Sequence, residues 1–206
     1  FKPDFAEARC ALGRIHVRRG EHAQARRHFE EAVRQNPAAA AGHLALAGHF
    51  QSDGENEKAV ACYRQGLQRD PRNIDALIDL GGLLSHFDRL MEAEPYLLRA
   101  LDIQPAHIKA FYQLMDVRSR TCNWTTLGKD MQTMQHLTEA YLDEEGPVDP
   151  TPRILHYFPL PDELHARLVR LQASRIQARN EEAKVRLAFS HGRETPERLK
   201  IGYVSP

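Results

Sequence analysis

Residues 6–39 read AEARCALGRIHVRRGEHAQARRHFEEAVRQNPAA, and two more stretches of the same length follow without a gap. Residues 40–73 read AAGHLALAGHFQSDGENEKAVACYRQGLQRDPRN, and residues 74–107 read IDALIDLGGLLSHFDRLMEAEPYLLRALDIQPAH. Set over one another at a spacing of 34 residues, Leu12-Gly13 matches Leu46-Ala47 and Leu80-Gly81, and Gly20 matches Gly54 and Asp88. Ala25, Ala59 and Ala93 coincide, as do Phe29, Tyr63 and Leu97, then Ala32, Gly66 and Ala100, and finally Pro37, Pro71 and Pro105. A fixed period of this size with no insertion marks an array of small supersecondary units.

The pattern resembles the tetratricopeptide repeat, in which each unit is a helical hairpin. Small residues at 13, 47 and 81, and Ala25, Ala59 and Ala93 opposite, let the two helices of a hairpin approach closely. Phe29, Tyr63 and Leu97 fill the gap to the next unit. Pro37, Pro71 and Pro105 stop the second helix, because proline lacks the donor that a helix interior needs. A single hairpin cannot bury its apolar face, so the units must stack. The fold class expected is therefore all-α, a tetratricopeptide solenoid of about three and a half repeats, then a helical linker and one orphan C-terminal strand.

Taken in order, residues 1–5 read as the tail of a preceding repeat, since Pro3 falls in register with Pro37, and the array is expected to begin before Phe1. Repeats one to three occupy 6–39, 40–73 and 74–107. Repeat one is rich in arginine with glutamates between, which favours a solvated, self-paired face. Ser52-Asp53-Gly54 is a turn. Pro95 is expected within the first turn of its helix, where the missing donor costs little. A partial fourth repeat covers 108–122, with Ala110, Phe111 and Leu114 in register. Residues 123–197 read as a linker region. Within it, a helix carries Leu127, Met131, Met134, Leu137 and Tyr141 on one face and ends at Asp143-Glu144-Glu145-Gly146-Pro147. A proline-rich connector over 148–161 docks through Ile154, Leu155, Tyr157 and Phe158. A helix over 162–180 turns Leu164, Leu168, Leu171 and Ile176 inward, and a charged linker follows over 181–197. The alternating, β-branched run 198–206 reads as a strand.

The 28 basic and 28 acidic side chains balance, so no net field favours nucleic acid. No run of about 18 apolar residues exists to span a membrane. Cys10, Cys62 and Cys122 form no CxxC pair, which fits a reducing, cytoplasmic setting and neither metal nor redox work. The eleven histidines form no HExxH cluster, and most of them read as surface residues on helices. No metal or cofactor is expected. Asn123-Trp124-Thr125 matches a glycosylation acceptor by accident.

Cys122-Asn123-Trp124-Thr125 after the repeats, the proline-rich connector, and Arg198-Leu199-Lys200-Ile201-Gly202-Tyr203-Val204-Ser205 occur in that order. This resembles the protein O-GlcNAc transferase family, including its bacterial and plant members. The resemblance implies a region that positions protein substrates for Ser/Thr glycosylation, with residues 198–206 as the first strand of a catalytic lobe. UDP-GlcNAc would then bind only through lobes beyond that strand, and no residue of this chain is assignable to catalysis. The asparagine ladder of the animal enzyme falls here on Ala11, Ala45, Asp79 and Gln113, so backbone capture by that device is not expected. The alternative is a non-catalytic scaffold that binds partner proteins or peptides. In either case the first helix of each repeat should line a concave face through Arg14, Arg18, Gln51, Ser52, Asp79, Ser85, His86, Tyr112, Gln113 and Asp116.

Overall fold

The computed structural model of the chain describes residues 4–143 and 160–187. The described residues form helices α1 (Asp4–Arg18), α2 (His22–Gln35), α3 (Ala40–Ser52), α4 (Asn56–Arg69), α5 (Ile74–His86), α6 (Leu90–Ile103), α7 (Ile108–Arg120), α8 (Leu127–Asp143) and α9 (Asp162–Leu187). Helices α1 to α6 are three hairpins in the expected register, and the chain through Leu164 is one compact unit. The strand expected over 198–206, and the connector residues Ile154, Leu155, Tyr157 and Phe158, lie outside the described residues.

Within each hairpin the close approach is real. A Cβ added to Gly81 would lie 2.7 Å from Leu97 Cδ2, and one added to Gly13 would enter the Phe29 ring. Ala25, Ala47, Ala59 and Ala93 are fully buried beside them. One continuous core runs from Ala25 to Val117 through Phe29, Tyr63, Leu77, Leu84 and Leu97.

The turns repeat as faithfully as the helices. Gly20 and Gly54 both have φ +76°, Asp88 has φ +63°, and Cys122, 34 residues further on, has φ +53°. After each, the backbone N–H donates five residues back: Glu21 to His16, Glu55 to Phe50, Arg89 to Leu84 and Asn123 to Arg118. This is the helix-ending bond pattern that favours glycine at the left-handed position. The fourth copy therefore keeps its first helix and its turn, although its second helix departs from the pattern. At the starts of α5 and α7, Asn73 Oδ1 accepts from the Ala76 N–H at 3.1 Å and His107 Nδ1 from Ala110 at 3.3 Å. Ala39, in the same register, has no such group.

The second helices are tied to one another by ion pairs. Arg26 reaches Glu55 at 2.9 Å, Arg64 reaches Glu92 at 2.6 Å and Arg89 reaches Glu57 at 3.1 Å. Hydrogen bonds from Arg89 first, then Arg64, hold the Glu92 carboxyl down to about 2. Arg9 pairs with Glu31 and Arg26 with Glu30, so part of the arginine-rich face is self-paired as expected.

Several expectations need correction. Pro95 is the sixth residue of α6, not part of its first turn; its missing donor leaves the carbonyl of Met91, a residue 76% exposed, open to water. Among the expected inward residues of α9, Leu164 and Leu168 are buried but Ile176 is exposed. Helix α9 also continues to Leu187, into the stretch read as linker, because its Glu- and Lys-rich composition favours helix. Of the histidines, most of them expected on the surface, His43 and His49 are two that are buried instead. His43 is held by its Nε2, which donates to the Pro37 carbonyl at 3.1 Å. In α8, Met134, Leu137 and Tyr141 are buried as expected, joined by Asp130 and Thr138. Asp130 accepts from Arg118 at 2.8 Å and from the Thr126 hydroxyl at 2.7 Å, which explains how a carboxylate is buried there.

Ala59→Phe should lower the unfolding free energy by about 1–3 kcal/mol, because overpacking a closed helix seam strains both helices; urea denaturation reads it. Asp88→Gly should raise it by about 1 kcal/mol, since glycine takes the left-handed turn without the Cβ penalty. An unchanged denaturation midpoint for either variant contradicts the corresponding account.

Candidate functional site

The first helices α1, α3 and α5 stand side by side, and together they line a cavity of about 890 Å³. Its floor is apolar: Ala11 and Ile15 from α1, Ala41, Leu44 and Ala45 from α3, and the buried rings of Phe29 and Tyr63 from the second helices. The side chains of Arg14 and Arg18 line it from α1, those of Asp75 and Asp79 from α5. The groove is thus basic on one wall, acidic on the other and greasy between. Three of the four ladder positions, 11, 45 and 79, do line this groove, but the first two are alanine and offer apolar contact only.

Polar groups in the groove differ in how far they are committed. The Tyr63 hydroxyl donates to Gln51 Oε1 at 2.9 Å. Burial first, and the charge of Asp79 second, push the Tyr63 phenol far above its ordinary range, so it remains a donor at any ordinary pH. Asp79 is paired with Lys109 of α7 at 3.0 Å. Ser52 turns its hydroxyl back to the Gly48 carbonyl at 3.0 Å. Arg14 and Arg18 are exposed and make no ion pair among the described residues.

Of the ten residues expected on the concave face, Arg14, Arg18, Ser52 and Asp79 line the groove together, and Gln51 is attached to it through Tyr63. Ser85 and Asp116 belong to a separate network. Arg120 of α7 donates to the Ser85 carbonyl at 2.9 Å, to its hydroxyl at 3.0 Å and to Asp116 at 3.2 Å, while its other terminal nitrogen holds Asp88 at 2.6 Å. That network closes the surface between repeats three and four instead of opening it. His86 is exposed and meets the Phe87 ring edge-on. Gln113 lies against Gly82, with its Oε1 buried and unpaired.

Tyr112 departs furthest from expectation. It is 1% exposed and its hydroxyl bonds Thr138 of α8. In the 34-residue register it stands over Ile78, which is equally buried. The packed position was readable from the period, and the polar hydroxyl hid it.

Sequence reasoning also missed a junction cluster. His22 opens α2, His49 lies in the last turn of α3, and Asp53 caps α3. One ligand-capable atom from each lies within 4.8 Å of the others. Only the i, i+4 relation of His49 and Asp53 was visible in the sequence; His22 joins them when α2 packs on α3.

Residues 6–39 and residues 44–108 each match a family model described as tetratricopeptide repeat. The chain is 48% identical over 130 residues to cellulose synthase operon protein C of Xanthomonas axonopodis pv. citri, covering 62% of this chain and 9% of that protein. It is 36% identical over 99 residues to type IV pilus assembly protein PilF of Pseudomonas aeruginosa, covering 48% and 39%. Thus the chain spans less than two fifths of the length of these relatives. Among solved structures, a MamA crystal structure superposes with a TM-score of 0.61 at 14% identity, covering 92% of this chain and 98% of that one. The first repeat domain of Spaghetti (RPAP3), bound to an HSP90 peptide, superposes with 0.56 at 14% identity, covering 60% and 98%. At these identities the likeness is one of fold. No described helix is long and apolar enough to cross a membrane.

The groove floor gives one stability expectation. Tyr63→Phe should lower the unfolding free energy by about 0.5–1.5 kcal/mol, the net worth of one hydrogen bond. The cost stays small because Gln51 is exposed and water replaces the lost donor. Urea denaturation reads it, and a loss of several kcal/mol contradicts this geometry.

Proposed function

Because residues 6–39 and 44–108 match tetratricopeptide-repeat models, we propose that the chain binds a peptide segment of a partner protein in the groove between α1, α3 and α5. The observation that carries the reading is the composition of that groove: an apolar floor with unpaired arginines on one wall and carboxylates on the other. Such a surface matches an extended segment whose apolar side chains enter the floor and whose acidic group lies toward Arg14 and Arg18. Polar groups that converge around an apolar concavity supply orientation, and the floor supplies the burial. Asp79 is partly spent on Lys109, so the arginine wall offers the stronger free charge. The Spaghetti (RPAP3) domain holding an HSP90 peptide lends support from a solenoid of the same fold.

A narrower reading makes the chain the substrate-positioning region of an O-GlcNAc transferase-like enzyme. It rests on Cys122-Asn123-Trp124-Thr125 and on residues 198–205, whereas both family models match the repeats. UDP-GlcNAc enters that reading only through catalytic lobes that follow such a strand. The peptide-binding reading needs neither element and is the one we favour.

The test is fluorescence anisotropy with two labelled peptides of equal length and apolar content, one acidic and one basic. The acidic peptide should bind more tightly. Arg14→Glu with Arg18→Glu should weaken it by about tenfold or more, as loss of two charge contacts implies. Ala45→Arg, which fills the floor, should weaken both peptides. Equal affinity for the two peptides, or binding that ignores Ala45→Arg, contradicts the proposal.

A further inference from the structure

We propose that His22, His49 and Asp53 form a binding site for a divalent late transition metal, Zn²⁺ in the first instance, at the junction of repeats one and two. The three side chains come from the first residue of α2 and from the end of α3, so a cation there bridges two hairpins. His49 Nε2 stands 3.3 Å from Asp53 Oδ2, and His22 Nδ1 stands 3.7 Å from Asp53 Oδ1. Tetrahedral zinc with bonds of about 2.0–2.1 Å sets any two ligand atoms about 3.3 Å apart. The His49–Asp53 separation already has that value, and a rotation of the exposed His22 ring must bring its nitrogen to the same spacing from both partners, from which it now lies within 4.8 Å.

The second observation is independent of the cluster itself. The His49 side chain is 1% exposed, yet neither of its ring nitrogens has a hydrogen-bond partner. Its Nε2 is near the Asp53 carboxylate, but the approach lacks hydrogen-bond geometry, so this is not an ordinary His–Asp pair. Buried polar atoms in folded proteins have partners as a rule, and an exception calls for an explanation. A cation held between the ring and the carboxylate supplies it for Nε2, because a metal takes the nitrogen lone pair and needs no N–H directed at oxygen.

The surroundings suit this role. The His22 and His49 rings lie near parallel, 19° apart with centroids at 6.0 Å, and each has a nitrogen within 3.7 Å of an Asp53 carboxylate oxygen. Phe29 packs on His49 with centroids at 5.8 Å, which fixes the ring from the core side. His22 and Asp53 remain reachable from solvent, so an entry path exists and a water can complete the coordination. Two imidazoles and one carboxylate favour zinc, cobalt, nickel or copper(II) over the all-oxygen cations magnesium and calcium. Because His49 also lines the groove, the bound cation would add positive charge beside Arg14 and Arg18.

The experiment titrates the whole chain with zinc sulfate by calorimetry and with cobalt chloride by visible absorption. Wild type should bind saturably, and cobalt should show the intense d–d bands of a low-symmetry four-coordinate site. His22→Ala and Asp53→Asn change solvent-accessible side chains, so each should keep the helical circular dichroism yet lose about tenfold or more in affinity. His86→Ala, an exposed histidine outside the cluster, should leave the affinity as it was. Absence of saturable binding by wild type, or unchanged affinity in either His22→Ala or Asp53→Asn, overturns the site.

Discussion

Everything in this molecule depends on how closely two helices can approach at one point in each hairpin. Gly13 under Phe29 and Gly81 under Leu97 leave no room for a larger group on the first helix, and Ala47, in the same register, is fully buried. The bulky partner fills that space and then reaches the next unit, so one contact closes the hairpin and begins the stack. Repetition at 34 residues copies this contact, and with it the angle between units. The first helices fall on one side as a consequence, and the groove follows from their alignment rather than from any residue placed to make it.

The period explains what the sequence disclosed and what it withheld. Helix identities, hairpin register and the buried face of α8 were legible because each depends on local spacing of apolar residues. Arg14, Arg18, Ser52 and Asp79 were legible as groove residues because their register positions point away from the seams. Ser85 was not, because it is covered by Arg120 arriving from a different helix, and no spacing encodes that reach. The His22–His49–Asp53 cluster was hidden for a similar reason, as 26 residues of chain separate the two histidines. Cys122 shows the opposite case: the turn geometry of the array persists where its glycine is gone, since the surrounding backbone bonds still demand it.

The groove combines three levels of commitment. Its floor is structural, for Phe29 and Tyr63 are also core residues and cannot change without loss of packing. Its acidic wall is partly committed, because Asp79 ties α5 to α7. The arginine wall carries no ion pair among the described residues. Variation in partner choice is therefore cheapest at Arg14 and Arg18, where side chains can change without disturbing the solenoid.

The ion pairs between successive second helices give the solenoid a mechanical property beyond its stability. Arg26–Glu55, Arg89–Glu57 and Arg64–Glu92 join neighbouring hairpins along one line, much as stitches join panels. Each exposed pair contributes little by itself and weakens as salt rises. The apolar seams beneath are indifferent to such screening. Stiffness against bending between repeats is therefore shared between a fixed apolar hinge and an adjustable ionic tie. The same array is a firmer rod in dilute buffer and a more pliant one in brine.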